Sequence, residues 1–210
     1  MGWLSDFVFG KEYGPSYALG ISDPDTQEPL VYRAHAEGKG GDIVPQSDLP
    51  EDEVSKDWGA RVQNADALIG ENIRGPINAL ARVSQPNFDE LGSSNHIDMI
   101  DMENPGFEDV QIVSSGLWAA MHQINSKRIS PDGDIDESYK QESVEVIQQA
   151  LEDIQQIMDS PEYSDLNAVE QQMREMGFEY AEIQNTVTPS AEEESALNPA
   201  LPQPLPFEFK

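Results

Sequence analysis

The sequence contains no cysteine and little positive charge. Without cysteine there are no disulfide bonds, thiolate nucleophiles or cysteine-ligated zinc sites, and the redox compartment stays open. Only 12 Lys and Arg residues oppose 40 Asp and Glu residues, so the formal net charge is −28. A chain with this charge repels phosphate groups and anionic lipid, and we therefore expect no direct binding to nucleic acid.

Long hydrophobic runs are also missing. No stretch approaches the roughly 18 consecutive apolar residues of a membrane-spanning helix, so we expect no membrane span. The opening "MGWLSDFVFGK" has neither the basic start nor the small-residue cleavage site of a secretion signal. Asp6 stands where a myristoylation motif requires Ser or Thr.

The excess of acidic residues has three interpretations, which the sequence leaves open. An acidic surface stays hydrated and screened in a very saline environment, and the scarcity of lysine favours this explanation. A basic protein partner would select the same composition. So would mimicry of a polyanion such as DNA.

Apolar periodicity predicts a mainly α fold: a small helical bundle with extended N-terminal and Pro-rich C-terminal arms. We expect an N-terminal anchor and extended arm over residues 1–50, with one strand at Leu30 to Arg33, and a helical core over 51–185. Residues 186–210 form the Pro-rich tail. Helices are predicted from about residue 50 to 69, after the Gly75-Pro76 pair, and over about 107–129, where Trp118 widens the apolar stripe.

The clearest pattern predicts an αα-hairpin at about 138–184. Ser160 is placed as the N-cap of the second helix and Pro161 as its first residue. Each helix carries an apolar stripe at spacings of three and four residues: Val144, Ile147, Leu151, Ile154 and Met158 in the first, and Leu166, Val169, Met173, Met176 and Tyr180 in the second.

The stretch before this hairpin has carboxylates at alternate positions, Asp132, Asp134 and Asp136. Alternating carboxylates are typical of a calcium loop, but Glu137 replaces the glycine at the sixth position and Ser143 the glutamate at the twelfth. The pattern favours a turn and helix cap over a site for calcium or another cation. We therefore expect no cofactor, with the cation site as the second interpretation.

Apolar residues near both ends of the sequence are suited to binding a protein partner. At the N-terminus these are Trp3, Leu4 and Phe7, which share one side of a short helix, or else pack on the chain's own core. At the C-terminus they are Leu201, Leu205, Phe207 and Phe209, spread along a Pro-rich segment. Segments of this type bind by becoming ordered on a neighbour.

No combination of nucleophile and base, phosphate loop or metal-ligand cluster is recognisable, so we expect no enzymatic activity. In layout, "MGWLSDFVFGK" and the final "NPALPQPLPFEFK" resemble small virion structural proteins of tailed viruses, of the head-tail adaptor or portal-associated type. That resemblance implies a homo-oligomer or larger assembly in a virion, from a halophilic or marine host. The alternative is a cytoplasmic acidic regulator or DNA mimic that binds a basic partner.

Overall fold

A computed structural model describes residues 13–36, 38, 40–50, 53, 55–84, 94–126 and 137–189, without the side chains of residues 94–95 and 137–139. The N-terminal part of this range forms a four-stranded sheet in the order β3-β2-β1-β4. The strands are β1 (Tyr13–Ser22), β2 (Pro29–His35), β3 (Gly41–Pro45) and the short β4 (Lys56–Asp57). β1, β2 and β3 form an antiparallel meander, and β4 pairs in parallel with β1.

The sheet shows that the predicted fold class is wrong: the protein is α+β, and not a mainly helical bundle with an extended N-terminal arm. Gly, Pro and Asp in residues 13–45 were taken as signs of an irregular arm, but some of them lie within the strands and the others in the two turns of the meander. In the first turn the Asp23 side chain accepts hydrogen bonds from the backbone N–H groups of Asp25 and Thr26. The one predicted strand, Leu30 to Arg33, lies inside β2.

The helices follow the sheet along the chain. They are α1 (Trp58–Asn72), α2 (Arg74–Val83), α3 (Ser94–Ile97), α4 (Phe107–Asn125), α5 (Glu137–Met158), α6 (Pro161–Glu175) and α7 (Tyr180–Val187). A 3₁₀ turn covers Gln46–Asp48. α1 begins later than predicted because the Asp57 side chain caps it, accepting from the Gly59 N–H at 3.0 Å.

The predicted αα-hairpin at about 138–184 is also wrong, although its local signals are confirmed. Ser160 is the N-cap of α6 and Pro161 its first residue. However, α5 packs mainly against α2 and α4, whereas α6 packs against β3, α1 and α7. α6 ends at Glu175, and Gly177 turns the chain with a φ of +85°. The apolar stripes showed that each helix has one buried face, but not which element covers it.

One hydrophobic core joins the sheet to the helices. The side chains of alternate strand residues point into it: Tyr17 and Leu19 from β1, and Leu30, Tyr32 and Ala34 from β2. Trp58, at the start of α1, packs edge-on against Tyr17 and Tyr32 with ring centroids 5.8 and 5.5 Å apart. These aromatic contacts fix the inner face of the sheet on the first turn of α1.

Candidate functional site

The partner-binding and metal-binding residues predicted from the sequence lie outside the described residues. They are Trp3, Leu4, Phe7, Asp132, Asp134, Asp136, Leu201, Leu205, Phe207 and Phe209. Their roles stay predictions. Across the described ranges, no group of three or more His, Asp or Glu side chains is arranged to hold a metal ion.

A buried ion pair ties the sheet to two helices. Arg61 on α1 places Nε and Nη2 at 2.9 and 2.7 Å from Oδ2 of Asp165 on α6. The Tyr32 hydroxyl donates to Asp165 Oδ1 at 2.8 Å, and Arg61 Nη1 donates to Glu162 Oε1 at the same distance. Burial opposes the charge on Arg61, but its bonds to Asp165 raise the pKa of the guanidinium above its ordinary value. Asp165 is almost fully buried and bonded on both oxygens, so this cluster stabilises the architecture by joining the sheet to α1 and α6.

The outer edge of β3 is covered by one side chain of α6. The Gln172 amide donates from Nε2 to the Gly41 carbonyl oxygen at 2.9 Å and accepts at Oε1 from the Ile43 N–H at 2.7 Å. A primary amide offers one donor and one acceptor, as a neighbouring strand would. Gln172 therefore closes this edge to a further strand.

The opposite edge of the sheet, along β1, is not covered in this way. β4 pairs only with Tyr17 and Ala18 of β1. Within the described part of the chain, no strand pairs with the stretch from Leu19 to Ser22 on that side. Among the described strands this stretch of β1 is therefore an open edge, although an irregular one, because the register with β2 shifts between Ala18 and Ser22 and Gly20 has a φ of +73°.

A cavity of about 460 Å³ lies beside this open edge, and we call it the β1 cleft. Residues 18–21 of β1 form one wall, residues 57–59 and Val62 of the β4–α1 region a second, and residues between Glu182 and Pro189 the third. Trp58 Nε1 donates to the Thr186 carbonyl oxygen at 2.7 Å, which joins the second wall to the third. Asp57 and Glu182 add negative charge to the lining.

A second surface feature is a set of large apolar side chains in contact with water. Met99, Met102, Trp118 and Tyr180 are 66%, 49%, 61% and 62% exposed. Tyr180 donates a hydrogen bond to Glu108, so its hydroxyl is engaged. Trp118 lies on the solvent side of α4 with Gln111, Ser115 and His122, not in the apolar stripe to which the sequence pattern assigned it.

The face of the sheet opposite the helices carries a polar cluster. Arg33 pairs with Glu53 at 3.2 Å and lies 4.0 Å from the ring centroid of Tyr13. His35 Nε2 and the Tyr13 hydroxyl both contact Asp42 Oδ2, at 3.1 and 2.9 Å. The nearby serine, Ser16, is registered across from Arg33 rather than His35. The Ser16 hydroxyl is therefore not placed to act as a nucleophile activated by the His35–Asp42 pair.

The β1 cleft is the feature that sequence reasoning missed. Its walls come from β1, the start of α1 and the end of α7, which are far apart in the chain. A usable signal was present in the alternation of Tyr17, Leu19 and Ile21, which is the period of a strand. That signal predicts a strand, but not which of its edges is left open.

In the described ranges no helix combines the length and hydropathy needed to cross a bilayer. Comparison with known proteins adds no relative: no family model, curated protein or solved structure matches this chain.

Proposed function

We propose that this chain is a non-enzymatic building block of a protein assembly, of the head-tail adaptor or portal-associated kind in a virion, and that it joins neighbouring subunits through apolar residues. The observation that carries the proposal is the exposure of Trp118. Tryptophan is enriched in the energetic centres of protein interfaces, and burying one contributes about 2 kcal/mol or more to binding. An indole that is 61% exposed on a regular helix is suited to a contact between subunits.

The charge of the chain sets the conditions under which such an assembly forms. Copies with a formal charge of −28 repel one another at low ionic strength. The screening length falls from about 10 Å at 0.1 M salt to about 3 Å at 1 M. Association through Trp118 should therefore strengthen as salt rises, which suits a protein of a saline environment.

Sedimentation velocity of the full-length chain from low to molar potassium chloride tests the proposal. We expect salt-dependent oligomers of the unaltered chain, and weaker association of Trp118→Ala by about tenfold or more. Ser115→Ala, on the same exposed side of the same helix, is the matched control and should associate normally. Oligomers that form equally well without the indole would contradict the role of Trp118.

The alternative function, an acidic regulator or DNA mimic, is favoured by one observation, the sequence pI of about 4.1. Such a protein would bind a basic partner with an affinity that falls as salt rises. The same sedimentation series separates the two functions. A compact monomer at every salt concentration would support the regulator and contradict the assembly subunit.

A further inference from the structure

We propose that the β1 cleft receives residues 201–209 of a second copy of this chain, which add as a short strand beside Leu19–Ser22. This inference rests on the proposed function and names the contact that would link one subunit to the next. Addition of an extended segment to an open sheet edge is a general mode of recognition, in which backbone hydrogen bonds supply affinity and alternate side chains supply specificity.

The edge that receives the segment is the part of the sheet that neither a helix side chain nor β4 covers. Gln172 occupies the outer edge of β3, and β4 covers only Tyr17 and Ala18 of β1. The stretch from Leu19 to Ser22 has no partner strand on that side among the described residues, and it lies beside a cavity. Gly20, with a φ of +73°, and the shifted register with β2 interrupt the regular strand here, so the added segment can pair only with the edge groups on either side of Gly20. Unpaired strand edges are templates for a further strand.

The segment "LPQPLPFEF", residues 201–209, is suited to pairing on one side only. Pro202, Pro204 and Pro206 occupy alternate positions. Successive residues of a strand direct their N–H groups to opposite sides, so the N–H groups that proline lacks all fall on the same side. Proline is tolerated in an edge strand when that side faces solvent. The other side keeps its N–H groups at residues 201, 203, 205, 207 and 209, and that side can pair with β1.

The same alternation groups the side chains. Leu201, Leu205, Phe207 and Phe209 all occupy odd positions and fall on one face of an extended strand. On the receiving side, Leu19, Trp58 and Val62 give the β1 cleft an apolar wall. A volume of about 460 Å³ lies within the range of sites that enclose large apolar groups. One side of the segment can therefore bond to the edge while its apolar face fills the cleft.

The connecting residues favour a second copy over the chain's own end. The described chain reaches Pro189 at the lining of the cleft, and Glu192, Glu193 and Glu194 follow shortly after. Asp57 and Glu182 would repel these carboxylates if the connection folded back across its own cleft. The 12 residues from Pro189 to Leu201 extend to about 40 Å, which is enough to reach a neighbouring subunit. If each copy donates and receives one segment, two copies can exchange segments reciprocally and form a closed dimer, or the exchange can continue head-to-tail and generate a ring or filament.

Photo-cross-linking between isotopically distinct copies of the full-length chain tests this contact. Ile21, in the lining of the cleft, is replaced by p-benzoylphenylalanine, and ¹⁴N and ¹⁵N copies are mixed before the salt is raised to 1 M. After irradiation, mass spectrometry identifies the peptides joined to residue 21. We expect the peptide containing residues 201–209, with light–heavy pairs as frequent as random mixing predicts. The same photoreactive residue at Glu71, in a different surface cavity, is the control and should not capture that peptide.

Two further variants examine the pairing geometry. Phe207→Asp puts a charge on the face that enters the cleft and should lower capture by about tenfold or more. Glu208→Gln changes a neighbouring residue on the opposite face and should leave capture unchanged. Equal effects of the two substitutions would contradict insertion of the odd-numbered face.

The outcomes also separate this inference from the proposed function. Cross-links only between peptides of the same isotope would mean that the chain's own end occupies the cleft, and would overturn the inference. Oligomers in the sedimentation experiment without capture of residues 201–209 would overturn it while leaving the assembly function standing. Monomers at every salt concentration would overturn both.

Discussion

The two edges of the sheet, along β3 and along β1, are covered differently. Along β3, the amide of Gln172 takes the place of a neighbouring strand by bonding to Gly41 and Ile43. Along β1, a two-residue strand covers Tyr17 and Ala18, and a cavity lies beside the residues that follow. The difference depends on what packs next to each edge, because α6 lies against β3, whereas α7 and the first turn of α1 form two walls of the β1 cleft. One edge is closed by the chain's own helix, and the other has no strand beyond β4 among the described residues.

Asp165→Ala should cause the largest loss of stability near the closed edge. This substitution removes the carboxylate that joins α6 to Tyr32 of the sheet and Arg61 of α1. Arg61 would keep its charge at a buried position without its main partner, a change that costs about 3–5 kcal/mol of unfolding free energy. Urea denaturation followed by circular dichroism measures this loss. Glu162→Gln, which alters the more exposed partner of Arg61, is the control and should cost less than about 1 kcal/mol. Similar losses for both variants would show that Asp165 is not the main anchor.

Gly41→Ala should disturb the closed edge directly. A Cβ atom at residue 41 would lie 2.2 Å from the Arg33 carbonyl oxygen and 2.6 Å from Cζ of Tyr32, so the strands must move apart. We expect a loss of about 2–3 kcal/mol, seen as a lower melting temperature. Gly70→Ala is the matched control, since its Cβ would meet nothing within 4 Å and alanine favours the α1 helix. An unchanged melting temperature for Gly41→Ala would contradict the close approach of β3 to β2.

Gln172→Leu should convert the closed edge into an open one. Without the amide, the Gly41 carbonyl and the Ile43 N–H lose their partner, which costs about 1–3 kcal/mol. Hydrogen exchange at Ile43 should become faster, and the variant should associate through β3 as its concentration rises. Gln171→Leu changes an exposed neighbour on the same helix and should do neither. Unaltered exchange at Ile43 in Gln172→Leu would mean that the amide does not protect this edge.

The smallest expected effect is a loss of stability at alkaline pH, caused by ionisation of two buried tyrosines near the closed edge. Burial raises the pKa of Tyr163 on α6 to about 12, and burial together with the neighbouring Asp165 raises the pKa of Tyr32. The unfolded chain ionises tyrosine near pH 10. The stability that these protonated phenols contribute is therefore complete below about pH 10 and is lost as the pH rises towards 12.

Tyrosinate absorbance and circular dichroism, followed together during alkaline titration, measure this dependence. Tyr163→Phe should reduce the loss of stability above pH 10 more than Tyr180→Phe does, because burial raises the pKa of Tyr163, whereas the pKa of the exposed Tyr180 is raised mainly by its hydrogen bond to Glu108. Ionisation of all tyrosines before any loss of structure would contradict the burial of Tyr32 and Tyr163.

Features set by neighbouring residues could be predicted from the sequence. The capping of α6 by Ser160 and Pro161 depends on the local chain alone and was correct. Ile147 and Ile154 of the α5 stripe are buried as the spacing predicted. The exposed Trp118 shows the limit of the pattern, because a residue beside the buried Leu117 is turned by about 100° around the helix axis.

Features that join distant parts of the chain could not be predicted in this way. The strands were missed because glycine and proline interrupt short alternating stretches, and such residues suit an irregular arm as well as a meander. The bond between Arg61 and Asp165 spans 104 residues, and that between Ile43 and Gln172 spans 129. No spacing rule connects such pairs, so the closed edge and the β1 cleft emerge only when the helices are placed on the sheet.

The most direct test of the contrast between the two edges is residue-resolved hydrogen exchange of the full-length chain, measured as a dilute monomer at low salt and again in molar potassium chloride. The Ile43 amide should be protected in both states, because Gln172 holds it within one chain. Those amides between Leu19 and Ser22 that face away from β2 should gain protection only in the high-salt assembly, when a second copy adds its segment. Equal protection of these β1 amides in both states, with assembly verified by sedimentation, would contradict an edge that is open in the monomer and filled by a partner.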